Sequence, residues 1–114
     1  MLMDIIKARH SIRKYTDEQI RHDDLEKILE AGNFAPNAGG GQRSMILQAT
    51  ELGIASCIIS RGYDTFDSEE GRRLMNEWGV PEGYACQGFV ILGYIDGEQP
   101  KSKPRKPGRI KIVE

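Results

Sequence analysis

Apolar positions recur at helical spacing as far as residue 53, and beyond it two short runs are apolar without alternation. The first element this predicts is a short helix over "DIIKAR", with Asp4 as its N-cap, Ile5, Ile6 and Ala8 available for packing, and a stop near His10. A second helix is predicted from about Asp23 to Phe34. There Leu25, Ile28, Leu29 and Gly32 form the apolar stripe, Asp23 and Asp24 sit at the positive end of the dipole, and Pro36 and the glycines end the helix. "RSMILQATELG", residues 43–53, predicts a third helix with Ile46, Leu47, Thr50 and Ile54 on one side and Gly53 as its stop. "ASCIIS" and "GFVILGYI" are short and β-branched, which predicts strands buried on both faces; "SEEGRRLMNEW" between them predicts a helical turn or two. With "RIKIV" as a candidate last strand, this order implies an α/β or α+β layered protein.

Composition narrows the picture. A chain of 114 residues, 39% hydrophobic and 29% charged, suits one domain with one core rather than two. Sixteen basic against seventeen acidic residues leave a net charge of -1, which gives no global reason to expect nucleic acid or membrane as a partner. The charge is uneven, however: Lys101, Lys103, Arg105, Lys106, Arg109 and Lys111 make residues 98–114 a basic C-terminal extension. "MLMDII" is too short for the apolar part of a signal peptide, and no run approaches the roughly 18 apolar residues of a membrane span, so a cytoplasmic location is expected. Cys57 and Cys86 form no CxxC pair and are expected to be reduced, Cys57 as a small core residue. The two histidines, His10 and His22, have no acid spaced to join them as ligands, so no metal site is expected.

Three stretches carry candidate chemistry. In "RHSIRKY", if extended, Arg9, Ser11, Arg13 and Tyr15 share one side, with His10, Ile12 and Lys14 on the other. Two guanidiniums and a hydroxyl can hold a phosphate through charge-assisted hydrogen bonds. The alternative is a solvated basic stretch pairing with Asp17 or Glu18. "KSKPRKP" repeats the alternation in a proline-stiffened segment, so Lys103 and Arg105 can face one ligand or simply stay solvated. "GNFAPNAGGGQ" can bring backbone close to a flat ligand, or be a surface loop; it matches neither a phosphate-binding Walker loop nor the dinucleotide fingerprint.

Taken together, the stretches resemble the FMN-dependent nitroreductase family. "RHSIRKY" resembles its N-terminal phosphate motif, "ILEAGNFAPNAGGGQ" its helix followed by a Pro-Ser-Ser/Thr-x-Asn-x-Gln loop, and "ATELGIASCIIS" its passage from helix to strand. "PEGYACQGFVILGYIDGEQPKSKPRKP" resembles the closing strand and the Lys-x-Arg tail, and the four motifs stand in the family's order over most of the chain. The resemblance implies an α/β (α+β) sheet flanked by helices and completed by dimerisation, in a single shortened domain over residues 1–114. It also implies that Arg9, Ser11 and Arg13 hold the FMN phosphate and ribityl chain with His10 adjacent, and that Lys103 and Arg105 close on the same phosphate. Pro36, Asn37 and Ala38 would contact the isoalloxazine held mainly by a partner subunit, and Ile59, Ser60 and Arg61 would bring backbone N–H groups to its reactive edge.

Relative to that family, the chain lacks a long segment between Gln42 and Arg43 that normally helps to form the flavin pocket and its cover. Asn37 and Ala38 replace hydroxyl residues, Gly40 replaces Asn, and Ser60 replaces Gly. The shortening is expected to leave Met45, Ile46 and Leu47 as apolar surface for a homodimer with exchanged C-terminal segments. The function implied is an FMN-dependent oxidoreductase passing electrons from NAD(P)H to nitroaromatic or quinone-like acceptors, with no catalytic side chain beyond those that bind the cofactor. The alternative is a non-catalytic flavin- or phosphate-binding dimeric module that has lost the substrate pocket. A nucleic-acid or structural role is disfavoured, since Tyr15, Tyr63 and Trp78 are not interleaved with the basic tail.

Overall fold

A computed structural model describes residues 1–36 and 40–114. In chain order the elements are α1 (Leu2–Ala8), α2 (His22–Asn33), α3 (Gly41–Glu51), β1 (Ala55–Ile59), α4 (Gly62–Phe66), α5 (Glu69–Glu77) and β2 (Phe89–Gly93). β1 and β2 form an antiparallel two-stranded sheet in register from Ala55 opposite Gly93 to Ile59 opposite Phe89. The segment before α2 is stitched onto β1 and onto the chain just after β2: Ser11 bridges Ser56, Tyr15 bridges Ile95, and Ile12 N–H donates to Ser56 C=O at 3.0 Å. The result is the mixed helix-and-sheet layering that the sequence predicts.

The core lies where α2 and α3 pack together over the sheet. Ile28 and Ala49 are wholly buried with Ile54, and Ile20, Met45, Leu52, Leu92 and Tyr94 pack around them. Helical spacing explains one contact face and also its limits. Leu29 is 55% exposed: about 100° round the helix from the wholly buried Ile28, it lies at the edge of the stripe. Ala49 was not in the predicted stripe, yet its small side chain is what lets the helix approach closely. Met45 and Leu47 are half-buried and Ile46 is buried, which corrects the expectation that they form exposed apolar surface: α3 covers them against its own chain.

Several predicted boundaries move. α1 begins at Leu2, so Asp4 is inside its first turn rather than its N-cap, and α1 buries none of its residues. α3 begins at Gly41 and runs through Gln42 and Arg43 without interruption, ending as Gly53 takes a positive φ of 76°. α5 is capped by Ser68, whose hydroxyl accepts from the Gly71 N–H at 3.0 Å. The five-residue α4 was not predicted. It forms because Gly62 lies flat against the later chain, where a Cβ would fall 2.6 Å from both Cys86 Sγ and Gly88 Cα. "RIKIV" forms no strand; Ile110, Ile112 and Val113 are more than 80% exposed. β1 is buried on both faces at Ala55, Ser56 and Cys57 and half-buried at Ile58 and Ile59, whereas Ile91 of β2 is 41% exposed, so β1 comes nearer the prediction than β2.

Tyr15 does not share an open face with Arg13. Its ring rests on the Cα side of Gly93, and its hydroxyl donates to Ile12 C=O. Burial, followed by nearby Cys57, raises its pKa, while Arg13 pulls the other way. A phenol whose folded pKa lies above its unfolded value, about 10, keeps its proton longer in the native state. Its contribution to stability is therefore complete below pH 10 and is lost as pH rises through the folded pKa. Tyr15→Phe is expected to cost about 0.5–1.5 kcal/mol at pH 7 and to flatten that alkaline decline, measured by urea unfolding at pH 7 and 10.5. An alkaline slope identical to that of the unaltered protein would remove Tyr15 as its source.

Candidate functional site

Ile12 anchors the N-terminal stretch. It is 5% exposed and lies opposite β1, so its flanking residues are held at the surface. Ser11, Arg13 and Lys14 then line a cleft of about 270 Å³ whose other wall is Asp96, Glu98 and Pro100. Arg9 and His10 turn instead to a smaller hollow of about 90 Å³ beside Ser56 and Gln99. This corrects the alternation that put Arg9 with Ser11 and Arg13, and His10 opposite: the backbone leaves α1 at Arg9 and follows the sheet edge only from Ser11 onward, so period-two geometry starts too late to include it.

The electrostatics of the cleft are balanced. Lys14 Nζ lies 3.7 Å from Asp96 Oδ2, and the remaining charges, Arg13 and Glu98, cancel. Neither Arg9 nor Arg13 forms an ion pair among the described residues, so the alternative in which the stretch pairs with Asp17 or Glu18 is not what the structure has. Further positive charge lies in the tail, at Lys103 and Arg105. Its Ser102 Oγ lies 3.0 Å from His10 Nε2, and one residue on, Lys103 C=O accepts from Arg105 Nη1 at 3.2 Å. The structure thus joins the two basic stretches that are farthest apart in sequence.

A second cluster lies at the end of β1. Ile59 closes the strand, Ser60 and Arg61 are exposed, and Arg61 is the N-cap of α4. Gln42, at the start of α3, donates its amide to Phe89 C=O at 3.3 Å, and a Cβ at Gly88 would fall 2.7 Å from Ile59 C=O and 2.8 Å from Gln42 Nε2. Gln42 and Gly88 therefore fix this end, and only their pairing in space reveals it. Pro36 is exposed at the exit of α2, whereas Asn37 and Ala38 lie outside the described residues. From Ser56, beside Ser11, to Ile59 is three strand residues, about 10 Å at strand rise. The Ser11 and Arg13 end and the backbone-lined end are thus set along one strand.

Among the described residues no group of three or more His, Cys, Asp or Glu is placed to hold a metal, and no helix is long and apolar enough to cross a membrane. Cys57 is buried and Cys86 half-buried, both as free thiols.

Comparison with known proteins bears on this geometry. The profile described as "Nitroreductase family" matches residues 6–44, from the end of α1 to the start of α3. A protein of Archaeoglobus fulgidus named as an NADH dehydrogenase/NAD(P)H nitroreductase is 53% identical over 38 residues, which cover 33% of this chain and 22% of that relative. The match thus spans about a fifth of the curated relative's length. A crystal structure of a nitroreductase with bound FMN from Bacteroides fragilis superposes with a TM-score of 0.91 at 28% identity, covering 99% of this chain and 98% of that one. A nitroreductase with bound FMN from Desulfitobacterium hafniense gives 0.78 at 18% identity over 99% and 98%, a likeness of fold.

Proposed function

We propose that this chain is a member of the nitroreductase family and an FMN-dependent oxidoreductase that carries electrons from NAD(P)H to nitroaromatic or quinone-like acceptors. The observation that carries the reading is the cleft at Ser11 and Arg13; the preceding residue, His10 in the smaller hollow, is tied to the basic tail through Ser102. The residues fit a phosphate. Arg13 has no carboxylate partner among the described residues, Ser11 is exposed beside it, and both are held by the buried Ile12. At about 270 Å³ the cleft is below the roughly 300–1,000 Å³ usual for a whole drug-sized ligand, so it suits the phosphate and part of the ribityl chain.

In this reading Ser11 and Arg13 bind the phosphate, Lys103 and Arg105 approach it from the tail, and Arg9 and His10 support it from the smaller hollow. Ile59, Ser60, Arg61 and Pro36 border the ring, and Asn37 and Ala38, outside the described residues, are proposed to contact it as well. When bound, FMN supplies hydride acceptance from the nicotinamide and electron transfer to the acceptor, and the protein binds and orients it. The domain spans residues 1–114, with 98–114 as its basic extension. The assembly is a homodimer in which α1, with Leu2 62% and Met3 58% exposed, and the apolar end of the tail are covered by the second copy.

Titrating the purified chain with FMN and with riboflavin, while following flavin fluorescence and light scattering, and then assaying NADH and NADPH oxidation, tests this reading. Expected are saturation near one FMN per chain, weaker binding of riboflavin, and the mass of a dimer. Absence of saturable FMN binding would refute the reading. Binding without NADH or NADPH oxidation would instead leave a flavin-binding module without turnover.

A further inference from the structure

Beyond Asp96 every residue is exposed and none belongs to a helix or a strand. The radius of gyration, 16.6 Å, accordingly exceeds the roughly 13 Å of a compact 100-residue domain. A chain that loose gains little from carrying Lys103 and Arg105, because ordering it on the ligand costs entropy that the ligand contacts must offset. The cleft's own charges, Arg13 and Lys14 against Asp96 and Glu98, sum to zero, so a net attraction for an anion would come from added positive charge such as that of the tail.

One contact resolves the conflict. His10 Nδ1 lies 2.8 Å from Ala8 C=O, which can only accept, so Nδ1 carries the proton. In the neutral ring Nε2 is then an acceptor, and Ser102 Oγ, 3.0 Å away, donates to it. The bond links positions 92 residues apart. Directly after it, Pro104 restricts the backbone and Arg105 Nη1 closes back on Lys103 C=O.

We propose that Ser102 is a positioning residue: its O–H···Nε2 bond to His10 latches the basic tail onto the N-terminal segment, holding Lys103 and Arg105 ready for the phosphoryl group at the Ser11 and Arg13 cleft. The inference rests on the phosphate reading of that cleft. It adds that the tail is ordered before the ligand arrives, through a residue that does not touch the ligand.

The test uses the full chain carrying Ser102→Ala, and Ser102→Thr, which keeps the hydroxyl. Two readouts are taken: the imidazole ¹⁵N shifts of His10 without ligand, and titrations with FMN and riboflavin. Ser102→Ala is expected to shift the Nε2 resonance, to weaken FMN binding about threefold to tenfold, as for loss of one net hydrogen bond, and to leave riboflavin binding unchanged. Ser102→Thr is expected to restore both. In the Ser102→Ala background, Lys103→Ala is expected to cost less than it does alone, since the two act through one element. An unmoved Nε2 resonance, or equal FMN affinity with and without the hydroxyl, would overturn the latch. Failure of the unaltered protein to bind FMN would instead remove the phosphate reading, and the role of the latch with it.

Discussion

Replacing Ile28 with Ala is expected to destabilise the protein by about 2–5 kcal/mol, the range for removing a large aliphatic side chain from a closed core. Ile28 has no exposed surface and sits at the centre of the cluster made with Ala49 and Ile54, so the deletion leaves a cavity that two helices and the sheet cannot collapse into. Against a total of about 5–15 kcal/mol for a folded domain, that loss is large. At roughly 4 °C per kcal/mol it should lower the melting temperature by about 8–20 °C. The adjacent control is Leu29→Ala. That side chain is 55% exposed, and its removal is expected to stay within about 0.5 kcal/mol. Thermal unfolding of both variants decides the matter; similar losses would mean that α2 is rotated from the orientation described, or that Leu29 is buried in an assembly.

Arg13→Ala is expected to weaken FMN binding by about 1.5–3 kcal/mol, roughly 10- to 150-fold, the range for a hydrogen bond to a charged group. Arg13 follows the buried Ile12, whose backbone is bonded to β1, so the backbone at this wall of the cleft needs little reordering when a phosphate arrives. Arg13→Lys should recover part of the loss, since it keeps the charge and gives up the two-pronged geometry. Arg9 faces the smaller hollow with His10, so Arg9→Ala is expected to cost less. Riboflavin, which has no phosphate, should bind all of these variants as it binds the unaltered protein. An unchanged dissociation constant for FMN in Arg13→Ala would take Arg13 out of the site.

Both predictions depend on which side of an element a residue faces, and that is where reading the sequence is uneven. Helices α2, α3 and α5 and both strands are legible because their apolar periods are local, and Ser68 and Gly53 mark ends through local backbone chemistry. The place of α4 is not legible: no local propensity favours "GYDTF", and it exists because Gly62 fits against Cys86 and Gly88, more than twenty residues later. The same holds for "RIKIV", whose alternation is that of a strand but which has no sheet edge to pair with in its own chain. Alternation alone also assigned Arg9 and Tyr15 to the phosphate side. Exit from α1 redirects the first, and Gly93, leaving room for an aromatic ring, draws the second into the packed layer.

By itself the sequence determined the kinds of residue available for an anion, the order of helices and strands, and the buried positions Ile46, Ile54 and Cys57, since hydrophobic period and residue chemistry are properties of neighbours along the chain. Only the tertiary structure decided that Ile28 rather than Leu29 is the center of the core, that Ser11 and Arg13 share a cleft without Arg9, and that Ser102 meets His10. These depend on contacts between residues distant in sequence, whose geometry is set by the packing of whole elements.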